Sequence, residues 1–508
     1  MPFKSDLTLI RAKRRYHHSG TIKLIFEPLV KELVPAPSVD TCTSNLSSLP
    51  GCLLLDSSMK ILNDGEQPLG RYSFLMADPF QTIEIPLGNE QPFAEIRQLL
   101  NQFSSPTLPD LPPMQGGLAG FFSYDLNQSI ERIETVVHDE FQLPALVLAA
   151  YDVVIAWDHQ LNRTWIISHG FPENSPADQK QRAQTRIEFF SNLLINKEQS
   201  NTDDVSSKLS QEFALEISHA LNVDGPSALK SNFSKQKYIE TVQRCIDYIY
   251  AGDVFQINLS QRLLHPANCE SLELYRRLKA CNPSPFGGYF DISGITDCSA
   301  QIISASPERL CSVRDRMVET RPIKGTRRRT GHPMVDIQAR EELLSSEKDR
   351  AENTMIVDLM RNDLSIVCEP DSVRVGQLCE LEEYQSVLHL VSSVEGKLKT
   401  AKSLIDLVAA IFPGGSITGA PKVRAMEIIS ELEPSARGAY CGSLGYLGFD
   451  GSADLNILIR TITASQGWWQ IPVGGGIVSH SIPQKEYEET WTKAAGMLRA
   501  VTMDQTPT

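Results

Sequence analysis

The stretch ALVLAAYDVVIAW, from Ala145 to Trp157, is the longest apolar run in the chain and the best guide to its fold. It is too short to span a bilayer and is interrupted by Asp152, so it does not predict a transmembrane helix. Its residues are typical of β-strands. Similar runs, separated by turns that contain Pro and Gly, are Cys52–Leu55, Arg71–Met76 and Leu118–Tyr124. These runs predict a domain rich in antiparallel strands in the first half of the chain.

The second half of the chain mixes helical and strand-like patterns. Apolar residues recur at helical spacing over Lys235–Ala251 and alternate as in a strand over Val254–Leu263. Other predicted elements are the helices Pro176–Asn196 (capped by Ser175), Glu341–Met360 and Pro483–Ala500 (with Ser481 as N-cap), and the strand pair Gly442–Phe449 and Leu455–Ala464. Because strand and helix do not alternate evenly, we predict an α+β fold with large antiparallel sheets. The polar segment 197–232 predicts a linker between an N-terminal domain (1–196) and a C-terminal domain (233–505).

The composition is that of a soluble globular enzyme, with 508 residues of which 41% are hydrophobic and 22% charged. The net charge of −14 provides no global field for nucleic acid or an anionic membrane. An anionic substrate therefore needs a local positive site or a bound cation. The ten cysteines form no C-x-x-C pair, and the first twenty residues contain no apolar signal segment. We expect reduced thiols and a cytoplasmic location.

Three glutamates are candidate ligands of a divalent cation. Glu486 and Glu489 lie three residues apart on one face of the last predicted helix, and Glu352 lies on a long charged helix. The triplet Gly474–Gly476 predicts either a backbone nest for an anion or a tight turn. Such glutamates more often face solvent or form helix salt bridges, as Glu352 could with Lys348. If the three carboxylates meet, an all-oxygen site suits Mg²⁺.

Lys324, in the basic segment ETRPIKGTRRR (319–329), is a candidate nucleophile. A free lysine has a pKa of about 10.4 and becomes nucleophilic near neutral pH when it is desolvated or lies beside other cations. On these residues alone, a solvated lysine in a basic loop is the commoner case. Glu308, at the end of a strand-like run, is either a general acid or the ion-pair partner of Arg309.

The stretch FPGGSITGAPK, from Phe412 to Lys422, is a glycine-rich loop that opens a helix. It is not a nucleotide P-loop, because Ala420 and Pro421 separate the last glycine from the lysine. A glycine-rich helix N-terminus still favours an anion. His389 lies alone in an apolar run, where it is either a core histidine or a group that handles a proton.

The second half of the chain contains a series of distinctive segments, namely GDVFQINLSQR (252–262), NPSPF (282–286), SASPERL (304–310), RPIKGT (321–326), KDRAENTMIVDLMRNDL (348–364), HLVSSVEG (389–396), FPGGSITGAPKVRAMEII (412–429), GGGIV (474–478) and EYEET (486–490). Together, and in this order, they resemble the chorismate-utilising enzymes, in particular the component I branch of aminodeoxychorismate synthases. Looser matches in the first half are LLLDSS (53–58), GRYSFL (70–75) and GGLAGFFSYD (116–125). The resemblance implies an anthranilate-synthase-like fold, in which large antiparallel sheets pack as a sandwich flanked by helices, and makes 233–505 the chorismate-binding catalytic domain.

Position 324 distinguishes branches of this family. Chains that resemble anthranilate synthase component I have Ala there, whereas those that resemble aminodeoxychorismate synthase have Lys, as here. Relatives that form isochorismate or salicylate carry a water-activating Lys at the position of Gln256, and an amide cannot act as that base. The resemblance implies Mg²⁺-dependent amination of chorismate with ammonia to 4-amino-4-deoxychorismate, in p-aminobenzoate and folate biosynthesis. The alternative is anthranilate synthase component I, which also eliminates pyruvate, in tryptophan biosynthesis.

The resemblance also assigns roles in catalysis and binding. Lys324 is expected to attack C2 of chorismate and form a covalent intermediate, while Glu308 protonates the departing C4 hydroxyl. Glu352 and Glu489 are expected to hold Mg²⁺, with Glu486 close or acting through water. The other expected contacts to substrate are those of the ring carboxylate with Gly474, Gly475, Gly476 and Lys493, of the enolpyruvyl carboxylate with Tyr446 and Arg460, and of the ring and departing groups with His389 and Thr418.

The chain has no G-x-C-x-G nucleophile elbow for glutamine hydrolysis. The resemblance therefore implies that a separate glutamine amidotransferase subunit supplies ammonia. It also implies a tryptophan-like effector pocket formed by residues from both halves of the chain, namely Ser57, Arg71, Tyr72, Ser73, Phe74, Pro285, Phe286 and Gly287. Neither nucleic acid nor a membrane is expected as a partner.

Overall fold

A computed structural model describes residues 26–59, 69–195, 217, 219–384 and 387–503. The helices in these ranges are α1 Val39–Leu46, α2 Ala94–Gln102, α3 Asn127–Ile130, α4 Pro176–Ile195, α5 Lys235–Ala251, α6 Ser271–Cys281, α7 Pro333–Ser345, α8 Glu347–Val367, α9 Leu404–Ile411, α10 Lys422–Leu432 and α11 Pro483–Thr502. Single 3₁₀ turns occur at Tyr124–Leu126, Pro370–Ser372 and Gly415–Ile417.

The strands are β1 Leu29–Glu32, β2 Leu53–Asp56, β3 Tyr72–Met76, β4 Gln81–Ile85, β5 Gly117–Phe122, β6 Leu146–Tyr151, β7 Val153–Asp158, β8 Arg163–Ser168, β9 Leu221–Asn222, β10 Lys230–Ser231, β11 Gln256–Pro266, β12 Phe286–Asp291, β13 Ala300–Ser306, β14 Arg309–Arg314, β15 Met317–Arg321, β16 Ile323–Arg328, β17 Arg374–Glu383, β18 Val387–Lys397, β19 Gly419–Ala420, β20 Ser443–Gly448, β21 Ala453–Asn456, β22 Thr461–Ser465 and β23 Trp468–Ile477. They form two antiparallel sheets. The large sheet has the order β1-β8-β7-β3-β2-β12-β13-β22-β23-β11-β10-β9, with β19 on β11. The small sheet has the order β16-β18-β15-β14-β21-β20-β5-β6-β4, with β17 on β18.

The two sheets pack face to face around an apolar layer. This layer joins Phe74 and Phe290 of the large sheet to Phe121, Val147 and Leu444 of the small sheet. Helices α1, α4, α6 and α11 cover the outer face of the large sheet, and α2, α8 and α9 cover the small one. The predicted α+β sandwich of antiparallel sheets is therefore confirmed.

The stretch Ala145–Trp157 forms two strands that belong to different sheets, β6 and β7. The break falls at Asp152, which is fully buried. Its carboxylate lies 3.3 Å from Arg186 and 3.7 Å from Arg182, both on α4. A buried carboxylate is costly unless it is paired, so these arginines fix the point where the chain crosses between sheets.

Three predicted elements were wrong in detail. The helix Glu341–Met360 is two helices that meet at Ser346, whose hydroxyl accepts a hydrogen bond from Asp349 N (3.2 Å) and so caps α8. The strand Leu455–Ala464 is split between β21 of the small sheet and β22 of the large sheet. The hydrophobic pattern of the sequence indicates neither this break nor the one at Ser346. Ser481 does not cap α11, because its hydroxyl is hydrogen-bonded to Glu486 instead.

Both sheets contain strands from both predicted domains. In the large sheet β2 pairs with β12, and in the small sheet β5 pairs with β20. The boundaries 1–196, 197–232 and 233–505 stay predictions, and most of the linker lies outside the described residues. The pairing nevertheless shows that the two segments complete each other's sheets.

Candidate active site

A cavity of about 660 Å³ lies between strands of the two sheets. It is lined by β11 and β23 of the large sheet, by β16 and β18 of the small sheet, and by α8 and α11. The cavity brings together ten of the residues predicted for catalysis, substrate binding and metal binding, namely Glu308, Lys324, Glu352, His389, Arg460, Gly474, Gly475, Gly476, Glu489 and Lys493.

Lys324 faces the cavity from an irregular part of β16. The pairing of β16 with β18 shifts register between Ile323 and Thr326, which is a bulge. Gly325, inside the bulge, has φ of 82°. A Cβ on Gly325 would lie 2.9 Å from Leu343 Cδ1, so a larger residue would be strained and crowded there. Bulges redirect neighbouring side chains, and this one accompanies the placement of Lys324 at the cavity wall.

Lys324, Ser416 and Glu308 form a connected group. The Lys324 amine donates a hydrogen bond to the main-chain oxygen of Ser416 (2.9 Å), and the Ser416 hydroxyl donates to Glu308 Oε1 (2.7 Å). Burial lowers the pKa of Lys324, although Glu308 acts in the opposite direction. Burial raises the pKa of Glu308, against the effects of Lys324 and the Ser416 hydrogen bond. Both shifts favour the uncharged forms, a neutral amine and a protonated acid.

Ser416 was not predicted as a site residue. It belongs to the glycine-rich loop FPGGSITGAPK, whose sequence suggested an anion site rather than contacts to Lys324 and Glu308. The structure places this loop in a 3₁₀ turn, Gly415–Ile417, before β19 and α10. The glycine-rich loop was therefore visible in the sequence, but the contacts of Ser416 with Lys324 and Glu308 depend on the tertiary fold.

His389 is buried at the cavity wall on β18. Its Nδ1 lies 2.9 Å from the Thr326 hydroxyl. Burial lowers the pKa of His389 to about 4, with Arg460 contributing in the same direction. The imidazole is therefore neutral near pH 7 and suited to hydrogen bonding rather than to carrying charge.

The three predicted metal ligands lie at one end of the cavity, on α8 and α11. Glu489 is paired with Lys493 (2.7 Å), and Glu486 accepts a hydrogen bond from Ser481 (2.6 Å). Glu352 is 3.8 Å from Lys348, and its buried Oε1 has no hydrogen-bond partner. In the described part of the chain, the carboxylate oxygens of these three glutamates do not all lie within 4.8 Å of one another.

The donor set nevertheless fits a hard divalent cation. All the ligand atoms are carboxylate oxygens, and one of them, on Glu352, is buried and unpartnered. Burial raises the pKa of both Glu352 and Glu486. Burial acts to raise the pKa of Glu489 as well, but Lys493 holds it below its usual value. A divalent cation would stabilise all three carboxylates in their charged forms.

The triplet Gly474–Gly476 forms neither a nest nor a tight turn. It lies inside β23 and pairs in regular register with β11, from Ser260 to Asn258. The absence of side chains instead lets the backbone form a close wall of the cavity. A Cβ on Gly475 would lie 3.4 Å from Lys493 Nζ and 3.6 Å from carboxylate oxygens of Glu486 and Glu489.

Two cationic side chains lie beside this wall, at the cavity. Lys493 donates a hydrogen bond to the main-chain oxygen of Gly474 (2.8 Å). Arg460, between β21 and β22, has φ of 54° and donates through Nη1 to the main-chain oxygen of Lys493 (3.2 Å). Both line the cavity, so the acidic chain has the local positive site that its net charge requires.

Two predicted substrate contacts lie elsewhere. Tyr446 on β20 is buried between the sheets and packs against Phe74, with ring centroids 6.0 Å apart. The Thr418 hydroxyl donates to the main-chain oxygen of Gly414 (3.0 Å) and holds a turn. Neither residue is among the lining residues of the cavity, whereas Tyr440 is. Sequence position could not separate the two tyrosines, because only the tertiary fold places Tyr440, in the turn before β20, at the cavity and Tyr446, on β20, between the sheets.

The predicted effector residues are gathered around β2, β3 and β12. The Ser57 hydroxyl donates to the main-chain oxygen of Pro285 (2.9 Å), and Ser73 donates to Asp56 (2.9 Å). Arg71 is paired with Asp158 (2.6 Å). Phe74 packs on Tyr446, and the other members, Tyr72, Phe286 and Gly287, lie on the same strands. The structure thus brings this predicted set together, and binding of tryptophan stays a prediction.

A second cluster of ligand-type side chains lies away from the cavity. His138, Glu140 and His219 have ligand atoms within 4.8 Å of one another. The two imidazole rings stack face to face at 3.9 Å, and Glu140 is paired with Arg262 (2.8 Å). Stacked rings direct their lone pairs in parallel rather than toward one ion, so this arrangement is an ion-pair network.

Comparisons with known proteins identify the family of this chain. A family model described as chorismate binding enzyme matches residues 57–499. The chain is 39% identical to anthranilate synthase component 1 of Thermus thermophilus (78% of this chain, 79% of the relative). It is 35% identical to aminodeoxychorismate synthase component 1 of Bacillus subtilis (86% of this chain, 91% of the relative).

Solved structures share the fold. Anthranilate synthase component I from Streptococcus pneumoniae aligns with a TM-score of 0.69 at 30% identity, covering 86% of this chain and 94% of that one. The menaquinone-specific isochorismate synthase of Escherichia coli has a TM-score of 0.65 at 16% identity, covering 94% of this chain and 96% of that one, and supports the fold alone. None of the described helices combines the length and apolarity needed to cross a membrane. The predicted resemblance is confirmed, and the chain belongs to the chorismate-binding enzyme family.

Proposed function

We propose that this enzyme aminates chorismate with ammonia to 4-amino-4-deoxychorismate through a covalent intermediate on Lys324. The observation that carries the proposal is the placement of Lys324, which is half-buried at the cavity wall with its amine hydrogen-bonded to the main-chain oxygen of Ser416 (2.9 Å). A carbonyl acceptor holds one N–H of the amine and leaves its lone pair free to face a substrate. The product is a precursor of p-aminobenzoate and folate.

The reaction balances as two displacements. The neutral Lys324 amine forms a bond to C2, the ring double bonds shift, and the C4–O bond breaks. Glu308 supplies the proton with which the C4 hydroxyl leaves as water. Ammonia then forms a bond to C4, the double bonds shift back, and the C2–N bond breaks. Proton loss from the added nitrogen returns Lys324 and Glu308 to their starting states.

The two carboxylates of chorismate are assigned to different groups of cavity residues. Arg460 suits the enolpyruvyl carboxylate, because a guanidinium can bind it with two hydrogen bonds. We assign the second contact to this carboxylate, a hydrogen bond from a tyrosine hydroxyl, to Tyr440 in place of Tyr446. Lys493 and the glycine wall Gly474–Gly476 suit the ring carboxylate. His389 contributes as a neutral hydrogen-bonding group.

Mg²⁺ would be held by Glu352, Glu489 and Glu486, beside the glycine wall. When bound, it would neutralise the ring carboxylate and add positive charge to the site. This role also explains why a site with three acidic side chains can accept a dianionic substrate. Glu352 offers the oxygen that has no hydrogen-bond partner in the protein.

Ammonia is proposed to come from a separate glutamine amidotransferase subunit. The chain has no nucleophile elbow for glutamine hydrolysis, and several of its relatives are named as component 1 of an enzyme. A cytoplasmic location is consistent with ten free thiols.

A second candidate is anthranilate synthase component I. The 39% identity to the Thermus thermophilus relative of that name favours it. Lys324 argues against it, because a covalent lysine adduct is unnecessary when ammonia attacks C2 directly.

Product analysis separates the two candidates. Purified protein is mixed with chorismate, Mg²⁺ and an ammonium salt, and the products are resolved by chromatography. Aminodeoxychorismate without pyruvate supports the proposal, whereas anthranilate with pyruvate would falsify it. Ligand binding without any turnover would show that the fold serves a non-catalytic role.

A further inference from the structure

The side chain of Asn258 connects the wall of the cavity to the turn that holds Lys324. Asn258 lies on β11, lines the cavity and is half-buried. Its Nδ2 donates a hydrogen bond to the main-chain oxygen of Ser416 (3.2 Å), which also accepts the hydrogen bond from the Lys324 amine (2.9 Å). One carbonyl oxygen therefore has two donors, the amide of Asn258 and the amine of Lys324.

The chemistry of this contact fixes the orientation of the Asn258 amide. A main-chain oxygen only accepts hydrogen bonds, so the atom of the amide that faces Ser416 must be the nitrogen. The amide oxygen then faces the glycine wall, 3.4 Å from the position that a Cβ on Gly476 would take. The nitrogen of the amide therefore contacts the turn, whereas its oxygen borders the cavity.

Main-chain hydrogen bonds between β11 and the glycine-rich loop end just short of Ser416. Strand β19 pairs with the start of β11, and Asn258 N donates to the main-chain oxygen of Thr418 (2.8 Å). On the other side of Thr418 lies the 3₁₀ turn Gly415–Ile417, which contains Ser416. The Asn258 side chain therefore extends the connection from the strand to the one residue of the turn that contacts Lys324.

The backbone on both sides of this contact is also held by Arg437. This arginine is buried and paired with Glu433 (2.7 Å), and it donates to the main-chain oxygens of Asn258 (2.6 Å) and Ile417 (3.2 Å). None of these bonds involves the side chain of Asn258. In an Asn258 variant the strand and the turn should therefore stay together, while the oxygen of Ser416 loses one of its two donors.

We propose that Asn258 is a positioning residue, which fixes the direction of the Lys324 amine through the main-chain oxygen of Ser416. This inference rests on the proposed function, because the direction of the amine matters only in a reaction in which the amine forms a bond. A carbonyl oxygen has two lone pairs, and Asn258 occupies one of them, so the oxygen presents the other to Lys324. Misplacing a reacting atom by about 1 Å can slow bond formation by about 100-fold.

The competing explanation is that the amide oxygen of Asn258, which borders the cavity, contacts the substrate directly. Asn258→Asp separates the two roles, because it keeps an oxygen at the glycine wall and replaces the donor to Ser416 with a second oxygen. At about pH 8 an ordinary aspartate is ionised and has no proton to donate. Asn258→Ala removes both groups. Asn101→Asp, an exposed change on α2, is the control for the added charge.

The test measures how fast the adduct on Lys324 forms when protein, chorismate and Mg²⁺ are mixed without ammonia, by rapid quenching and mass analysis at that pH. Positioning by the amide nitrogen predicts that Asn258→Asp and Asn258→Ala both form the adduct about tenfold more slowly or worse. The dissociation constant of chorismate, measured by calorimetry, should stay within about threefold, because the carboxylate contacts remain. Asn101→Asp should match the wild type in both measurements.

Three results would overturn the inference. A wild-type rate in Asn258→Asp together with a slow Asn258→Ala would assign the effect to the amide oxygen. Wild-type rates in both variants would leave Asn258 no role in the reaction, and slow rates accounted for by weaker chorismate binding would make it a binding residue.

Failure of the proposed function has a different signature, which is that the wild-type chain itself forms no adduct on Lys324. The inference falls with it in that case, whereas the three results above leave the proposed function in place. Melting temperatures check that the variants fold. If Asn258→Ala does not fold, the nearly isosteric Asn258→Asp still provides the test.

Discussion

The main-chain oxygen of Ser416 lies 2.9 Å from the amine of Lys324. The hydroxyl of the same serine donates a hydrogen bond to Glu308 at 2.7 Å. One residue of a glycine-rich loop therefore positions both the candidate nucleophile and the candidate acid.

Lys324→Ala removes the proposed nucleophile. We expect turnover to fall by about 10³-fold or more, because the amine that would form the bond to C2 is removed. Chorismate affinity, measured by calorimetry, should change little, since the carboxylate contacts remain. Lys397→Ala, an exposed change at the end of β18, should leave turnover unaltered. Full activity in Lys324→Ala would mean that ammonia attacks the substrate directly.

The covalent intermediate itself is open to detection. Wild-type protein quenched during turnover should yield a peptide containing Lys324 with the added mass of the dehydrated substrate. The adduct should be absent from Lys324→Ala and should accumulate when ammonia is withheld. Its absence from wild-type protein under those conditions would contradict the lysine-linked route.

The pH dependence of turnover should be bell-shaped, because Lys324 must be neutral and Glu308 protonated. The Ser416 hydrogen bond favours the charged form of Glu308 and so lowers its pKa, against the larger effect of burial. Ser416→Ala should therefore raise the pKa of Glu308 and move the limb that it controls to higher pH. Profiles of kcat against pH test this, with Ser416→Thr expected to restore the wild-type limb. Movement of the limb to lower pH would refute the assignment.

Glu352→Gln and Glu489→Gln should each weaken Mg²⁺ binding by about tenfold or more, because each removes a charged oxygen ligand. Calorimetric titration of Mg²⁺ provides a readout independent of activity. The matched control is Glu488→Gln, an exposed change next to Glu489 on α11, which should bind Mg²⁺ as the wild type does. Equal affinities in all three variants would place the cation elsewhere.

Asp152→Ala should destabilise the protein by about 3 kcal/mol, because it removes the fully buried carboxylate that pairs with Arg186 and Arg182 at the crossing between sheets, and leaves Arg186 with Asp78 alone. The control is Asp358→Ala, whose side chain is 79% exposed and pairs only with Arg361 among the ion pairs at α8. That change should alter stability by less than about 0.5 kcal/mol. Urea denaturation followed by fluorescence measures both, and equal midpoints would show that the arginines are solvated without Asp152.

The sequence predicted elements well where the pattern is local. Helix α5 and strand β11 follow from periodicity, and α4 begins at the predicted cap, where Asp178 N donates to Ser175 (3.1 Å). The extended triplet Gly474–Gly476 could not be told from a turn, because glycine adopts both conformations. Its pairing with β11 depends on residues more than two hundred positions away.

The candidate site was predicted through motif resemblance more than through local chemistry. On local grounds a solvated loop was the commoner expectation for Lys324, and only its tertiary surroundings desolvate it. Ser416 and Tyr440 were missed because both lie in turns whose position at the cavity depends on the tertiary fold, which the linear order does not reveal. Tyr446 was misplaced for the same reason.

The shared sheets have a consequence for how the protein is made. β5 acquires its partner β20, and β2 its partner β12, only after most of the chain has been synthesised. Such distant contacts carry a high loop-closure cost and slow folding. During translation, the edges of β2 and β5 that later pair with β12 and β20 therefore remain unpaired. A truncation in the last quarter of the chain would remove strands from both sheets.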